Sequence, residues 1–348
     1  MKKRRIPPDQ VLEMIRQTDI QTNETELTDR KTWRYGMSLE IGVQSKNVVL
    51  DDDPSVGFKM LKNAGFDCCD FSLNNYLKNT KLYREEKNHF FDKSLKELED
   101  FFTPHKKGAA QAGIRINQMH MPYPVYIPGA KKELNDYLWN EVAPKSMEIC
   151  RFFNCPNIVI HGFKLTKYLG SEEAEWEKTQ EFIEYIAPLA CEYGITICME
   201  NLHNEFGTHK VEGPGCNPYR AARRIDEINE RYGTEVFGFC YDTGHGNLVG
   251  LDPYKFITTL GNRLKVLHIH ENDGIADLHQ LPFTFTRTRD NASVLDWDGV
   301  LNGLKEIRFD GVLSFETAPV LDCFPEELKE DALQLIAKIG RYFAGKLE

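Results

Sequence analysis

The sequence predicts an α/β protein, a (β/α)8 barrel forming a single domain behind a short N-terminal extension, and three observations carry that expectation. Short apolar runs alternate with longer amphipathic ones from Met37 onward, as in a parallel sheet with helical crossovers. The short runs number eight over about 300 residues, which suits a closed barrel with insertions. Six of the eight end on His, Asp or Glu. In a barrel those ends face one rim, whereas the edge strands of an open sheet would lie tens of ångströms apart.

The expected strands, in order, are Ser38–Val43, Asp67–Phe71, Ile114–His120, Asn157–His161, Ile195–Glu200, Phe237–Asp242, Leu264–His270 and Gly311–Glu316. Between them helical periodicity marks Lys93–Ala112, Lys131–Phe153, Ser171–Tyr193, Pro218–Tyr232 and Trp297–Ile307, with Glu326–Ala344 closing the series. Glycines Gly65, Gly113 and Gly194 stand where a helix should stop before a strand, and Gly311 is expected to do the same before the eighth. Residues 1–36 read as an extension with one short helix near Asp9–Gln17, and residues 37–348 as the barrel.

Composition narrows the function classes. The net charge is −10, whereas a nucleic-acid surface needs clustered Lys and Arg; nucleic acid is therefore a disfavoured partner and a small-molecule carbohydrate the favoured one. No run approaches the roughly 20 apolar residues of a membrane helix. The basic start Met1-Lys2-Lys3-Arg4-Arg5 meets Pro7-Pro8-Asp9 where a signal peptide would turn apolar. Nine cysteines without a CxxC spacing read as reduced thiols, and a cytoplasmic location is expected. Oligomeric state is open, a homo-oligomer included.

The strand-end residues are His120, His161, Glu200, Asp242, His270 and Glu316. Any one of these histidines alone would read as a packed imidazole, and a lone strand-end Asp as the N-cap of the next helix. A Glu or Asp ending an apolar strand is costly to bury unless a cation or hydrogen bonds compensate it. Glu200, Asp242, His270 and Glu316 are accordingly the expected divalent-metal ligands. Three carboxylates and an imidazole suit Mn2+ or Zn2+, with Mg2+ or Co2+ compatible. His268 is expected to face away from His270, as a packed histidine.

At these residues the sequence resembles the xylose-isomerase-like TIM-barrel superfamily, which includes sugar-phosphate isomerases and epimerases and the AP endonucleases of family 2. The carrying motifs are Met199-Glu200-Asn201, Tyr241-Asp242-Thr243-Gly244-His245, the run from His268 through Asn272-Asp273-Gly274 to Asp277-Leu278-His279, and Ser314-Phe315-Glu316-Thr317. The resemblance implies the shared metal on the same four ligands, with His245 beside it touching substrate. It also implies further metals for the nuclease branch, one on His120 and His161 with Glu200, another on His245, Asp277 and His279. There are departures. Leu281-Pro282-Phe283-Thr284-Phe285 replaces a Leu-Pro-Gly-x-Gly turn, and residues 283–293 look like an insertion. A Glu six residues after the first metal Glu and an Arg six after the metal His mark the ketose 3-epimerases; here those positions are Phe206 and Ala276.

The expected activity is metal-assisted proton transfer between Glu200 and Glu316, isomerising, epimerising or dehydrating a sugar, sugar phosphate or cyclitol. His120, His161, His203 and His245 are the candidate substrate contacts, and Lys164, Lys167, Arg287 and Arg289 candidate phosphate contacts. The alternatives are an AP-endonuclease-like phosphodiesterase and a barrel that only binds sugar.

Overall fold

Eight parallel strands close on themselves in the computed structural model, which describes residues 39–165, 171–285 and 295–348. The extension and the helix expected near Asp9–Gln17, together with Lys167, Arg287 and Arg289, fall outside the described residues. In chain order the strands are β1 (Ile41–Gln44), β2 (Cys68–Ser72), β3 (Arg115–His120), β4 (Asn157–His161), β5 (Thr196–Glu200), β6 (His203–Phe206), β7 (His209–Glu212), β8 (Phe237–Asp242), β9 (Leu264–His268) and β10 (Leu313–Phe315). The barrel runs β10-β1-β2-β3-β4-β5-β8-β9, with β6 and β7 forming a separate antiparallel hairpin. A parallel bridge between Ile269 and Phe315 closes the ring, the Ile269 amide donating to Ser314 O at 2.8 Å and the Glu316 amide to Ile269 O at 3.1 Å. An open doubly wound sheet is thereby excluded.

All eight expected barrel strands are present, Asn157–His161 and Phe237–Asp242 with the expected bounds and the others with ends shifted by at most three residues. The β6–β7 hairpin has no counterpart in the expected elements. Helices fill the crossovers as the periodicity requires, including Leu95–Ala112, Glu172–Tyr193, Pro218–Tyr232 and Trp297–Glu306. The Leu95–Ala112 helix starts on a capping box, in which the Ser94 side chain accepts from the Glu97 amide and Glu97 accepts from the Ser94 amide. The segment expected as one helix from Lys131 to Phe153 contains a π-helical turn, Leu138–Val142. It precedes Pro144, which has no amide hydrogen to continue the ladder. The last helix, Lys329–Leu347, begins after a short 3-10 turn, Glu326–Leu328.

Gly65, Gly113 and Gly194 end their helices at φ of 107°, 66° and 64°, as expected of left-handed caps. Gly311 does not. Arg308 takes the left-handed position at φ 53°, and Gly311 instead leaves room for the Phe309 ring, whose Cζ would stand 2.5 Å from a Cβ there.

The outward faces of the strands carry Phe237, Phe239, Tyr241, Leu267, Ile269, Leu313 and Phe315, which pack with the helices into one continuous core. Burying each such side chain contributes about 1.5–3 kcal/mol. The inward faces of four neighbouring strands hold a second, small cluster: Val159, Cys198, Cys240 and Val266. No disulfide joins any of the nine cysteines. Among the described residues no helix is long and apolar enough to cross a membrane.

Candidate metal centre

The interior cluster is the floor of the site. Two residues further along the same strands stand His161, Glu200, Asp242 and His268, and strand residues two apart share a face. Ligand atoms of Glu200, Asp242, His268 and Glu316 all lie within 4.8 Å of one another. His268 Nδ1 is 3.2 Å from Glu316 Oε2, 3.5 Å from Glu200 Oε1 and 3.9 Å from Asp242 Oδ2.

This corrects the expectation for the histidine pair. His268 does not face away from His270, because positions two apart point to the same side. It is His268 that stands level with the carboxylates, above Val266, while β9 ends there and His270 follows one step higher. His270 Nε2 lies 3.0 Å from Asp242 Oδ2, and its ring stacks on His279 at 3.9 Å between centroids. Gly244 makes room for that ring: a Cβ would fall 2.0 Å from His270 Cε1. Of the four expected ligands Glu200, Asp242 and Glu316 thus converge with His268, while His270 groups with His279 and Glu316.

The remaining expected residues gather around this centre. Glu200 Oε2 lies 3.3 Å from the Nε2 atoms of both His120 and His161, and Glu200 Oε1 lies 3.0 Å from His245 Nδ1. Asp242 also accepts from the His245 amide at 2.6 Å, capping the helix Thr243–Leu248, so the N-cap role and a place in the cluster coexist. After β9 the chain pairs Glu271 with Gln280 in an antiparallel bridge. That fold-back returns Asp277 and His279, so that Asp277 Oδ2 reaches both His245 Nε2 and His279 Nε2 at 3.3 Å. His203, on the hairpin, lies 5.2 Å from His245 between ring centroids. Four further groups could hold an ion: His120–His161–Glu200, His203–His245–Asp277, His270–His279–Glu316 and, overlapping the Glu200–Asp242–His268–Glu316 quartet, Glu200–Cys240–His268. Lys164 does not point at this cluster; its Nζ donates to the His203 carbonyl and pins the hairpin.

Burial and mutual charge set the protonation states. Burial pushes Glu200 up, but His268, His161 and His120 outweigh it and hold the carboxyl well below its ordinary range. Glu316 is likewise held low against burial by His268 and His279. Burial draws His161 down to about 4 and, with His245 and Lys164 adding to it, His203 to about 4. His279 resists burial through Asp277 and Glu316 and rises to about 9.

The donor set fits a divalent cation. Three carboxylates converge where Glu200 and His268 are 1% exposed and Asp242 is 0% exposed, an arrangement that costs several kcal/mol per ion without a compensating charge. Neither ring nitrogen of His268 makes a hydrogen bond. Glu200, Asp242, His268 and Glu316 are therefore the residues that would hold it.

Sequence reasoning missed Gln44, whose Nε2 donates to Glu316 Oε1 at 2.8 Å, and Tyr123, stacked on His161 at 4.0 Å. Neutral polar and aromatic residues carried no signal. It also missed Asp70, 1% exposed in β2 with neither carboxylate oxygen hydrogen-bonded. An acid inside the buried run Cys68–Ser72 was the same kind of signal that identified Glu200.

Comparison with known proteins agrees with the resemblance carried by the motifs. The family model described as xylose isomerase-like TIM barrel matches residues 58–339, and the chain belongs to that family. An uncharacterised protein of Sinorhizobium fredii is 23% identical over 245 residues, 64% of this chain and 72% of its own length. One of Methanocaldococcus jannaschii is 24% identical over 223 residues, 63% and 70% of the two chains. Among solved structures, a D-tagatose 3-epimerase-like protein aligns at TM-score 0.55 and 19% identity, covering 87% of this chain and 99% of its own. The 3-keto-D-glucoside 4-epimerase of E. coli aligns at TM-score 0.57 and 14% identity, covering 86% and 99%. These likenesses establish the shared fold.

Proposed function

We propose that the protein is an isomerase or epimerase of a sugar or sugar phosphate that works with a divalent metal held by Glu200, Asp242, His268 and Glu316. The observation that carries this reading is the convergence of three carboxylates, Glu200 and Asp242 buried and Glu316 half-buried, and one imidazole within 4.8 Å at the carboxyl ends of the strands. The solved relatives named as sugar epimerases support the substrate class, and the acidic net charge agrees with a neutral or metal-screened substrate rather than a nucleic acid.

A bound divalent cation would polarise neighbouring oxygens of a hydroxy-ketone and stabilise the charge that develops on them. Glu200 and Glu316 reach the centre from strands separated by β8 and β9. Both are held ionised, so either can accept the proton from the hydroxyl-bearing carbon next to the carbonyl, and the other, protonated from solvent, delivers a proton to the opposite face. Loss of a hydroxyl in the second step would make the reaction a dehydration. His120, His161, His203 and His245 line the approach and donate to substrate hydroxyls. Counted from His268, the position six residues on is Gly274, and six residues after Glu200 stands Phe206, 49% exposed. The ketose 3-epimerase pair is thus absent in either count, which points to a substrate held differently.

The test is solvent-deuterium incorporation into a panel of ketoses and sugar phosphates, followed by NMR with Mn2+ supplied. Glu200→Gln and Glu316→Gln should each lower exchange by about 10³-fold or more. Near-wild-type exchange in either variant would sink the assignment of roles. A second reading, a multinuclear phosphodiesterase, is favoured by the additional ligand groups around the quartet. Three bound zinc ions with chelator-sensitive cleavage of abasic DNA, and no exchange on any sugar, would select it instead.

A further inference from the structure

Behind the metal ligands lies a carboxylate that the reaction does not use. Asp70 projects from β2 into the barrel, 1% exposed, and neither of its oxygens makes a hydrogen bond. Its register partners are Gln44 on β1 and Gln118 on β3. A buried carboxylate left without hydrogen bonds is costly, so this position calls for a partner that supplies a proton.

His268 is that partner. Its Nδ1 faces Glu316, Glu200 and Asp242, and its Nε2 faces Asp70 Oδ2 at 3.8 Å. Of these four carboxylates Asp70 is the one whose closest approach to the ring is at Nε2. Imidazole has two nitrogens, and a ring that gives one lone pair to a cation carries its proton on the other. A metal-bound histidine characteristically donates that second N–H to a carboxylate or carbonyl, which fixes its tautomer and orientation. The unpartnered Nε2 and the unpartnered Asp70 are the two halves of such a pair.

We propose that Asp70 is a positioning residue of the metal centre, accepting the Nε2 proton of His268 and thereby presenting Nδ1 to the cation. This rests on the reading of Glu200, Asp242, His268 and Glu316 as metal ligands, but not on the identity of the sugar reaction. It adds a ligand-orienting carboxylate from β2, a strand that supplies no ligand itself. Asp70 acts from the side of the ring remote from the cation.

The experiment is Mn2+ titration of the full-length protein, stripped of metal and followed by the paramagnetic resonance of free Mn2+. Asp70→Asn should weaken Mn2+ binding by about 10- to 100-fold, while metal-free thermal stability stays at or above that of the wild type. In a His268→Gln background the same substitution should add less than about a twofold loss, because the ring it acts through is gone. Binding by Asp70→Asn within twofold of wild type, or an undiminished loss in the His268→Gln background, overturns the proposal. Should Asp70→Asn fail to fold, nitrogen-15 NMR of the wild-type protein loaded with Zn2+ decides. A His268 ring protonated at Nε2 supports the proposal, and one protonated at Nδ1 overturns it. Wild-type protein that binds no divalent ion overturns both this role and the metal reading. Protein that binds Mn2+ tightly yet exchanges no sugar proton overturns only the proposed reaction, and the Asp70→Asn loss would still stand.

Discussion

Gly244 shows how the site depends on one missing methyl group. It lies in the helix Thr243–Leu248, where propensity alone would make alanine stabilising by roughly 0.5–1 kcal/mol. The His270 ring occupies that space, with Cε1 2.0 Å and Nδ1 2.4 Å from where a Cβ would stand. Gly244→Ala should therefore reverse the sign, destabilising by about 1–3 kcal/mol through overpacking. Urea unfolding of the metal-free variant measures it, and a variant as stable as wild type would refute the argument. At this scale the sequence was legible where burial is expensive. Glu200, Asp242 and Glu316, which the fold brings together, stood out in the sequence because a carboxylate ending an apolar strand demands compensation. His268 was misplaced because histidine carries no such cost when neutral, so its facing had to be counted along the pleat, and Gln44 and Tyr123 left no mark at all.

Among the elements, the strands were legible and the loops were not. Strand positions followed from alternation and from the glycines that stop the preceding helices, and errors were confined to ends. The β6–β7 hairpin escaped because its residues, from His203 to Glu212, are mostly polar, and its two apolar side chains, Phe206 and Val211, do not join the core. Its role is to carry His203 toward His245. On the isomerase reading His203→Ala should raise KM by about tenfold, the loss of one hydrogen bond near 1.4 kcal/mol, with kcat and bound metal unchanged. Loss of one metal equivalent from the same variant would instead favour the multinuclear reading. Replacing the exposed tip Phe206–His209 by Asn-Gly, which keeps the Glu205–Lys210 pair as the turn base, should leave both quantities as in wild type.

The whole molecule responds to pH through histidines held on opposite sides of neutrality. In the metal-free protein His161 and His203 protonate only near pH 4, whereas in the unfolded chain a histidine does so near 6.5. Between those values the unfolded chain binds protons that the barrel refuses, so stability falls as pH drops from about 6.5 toward 4. His279, raised to about 9, contributes fully below about 6.5 and loses its contribution as pH climbs toward 9. Melting temperatures of the metal-free protein should therefore peak near neutrality and fall at both pH 5 and pH 9; a monotonic profile would contradict the assignment. The barrel itself was legible at this scale because six strand-end ligand types make sense only on a closed ring.

The two-residue spacing between floor and ligands has a consequence for inheritance. Each of these strands presents chemistry on one face and core packing on the other, so Cys240 and Asp242 point inward while Phe239 and Tyr241 point toward the helices. Deleting a single residue from β8 would exchange those faces, driving Asp242 into the apolar layer and two aromatic rings into the barrel. A frame slip within a strand therefore cannot yield a stable but inert copy. Length changes that survive in descendants of this gene must fall in the loops, where they alter what the rim recognises and leave the ion's seat untouched.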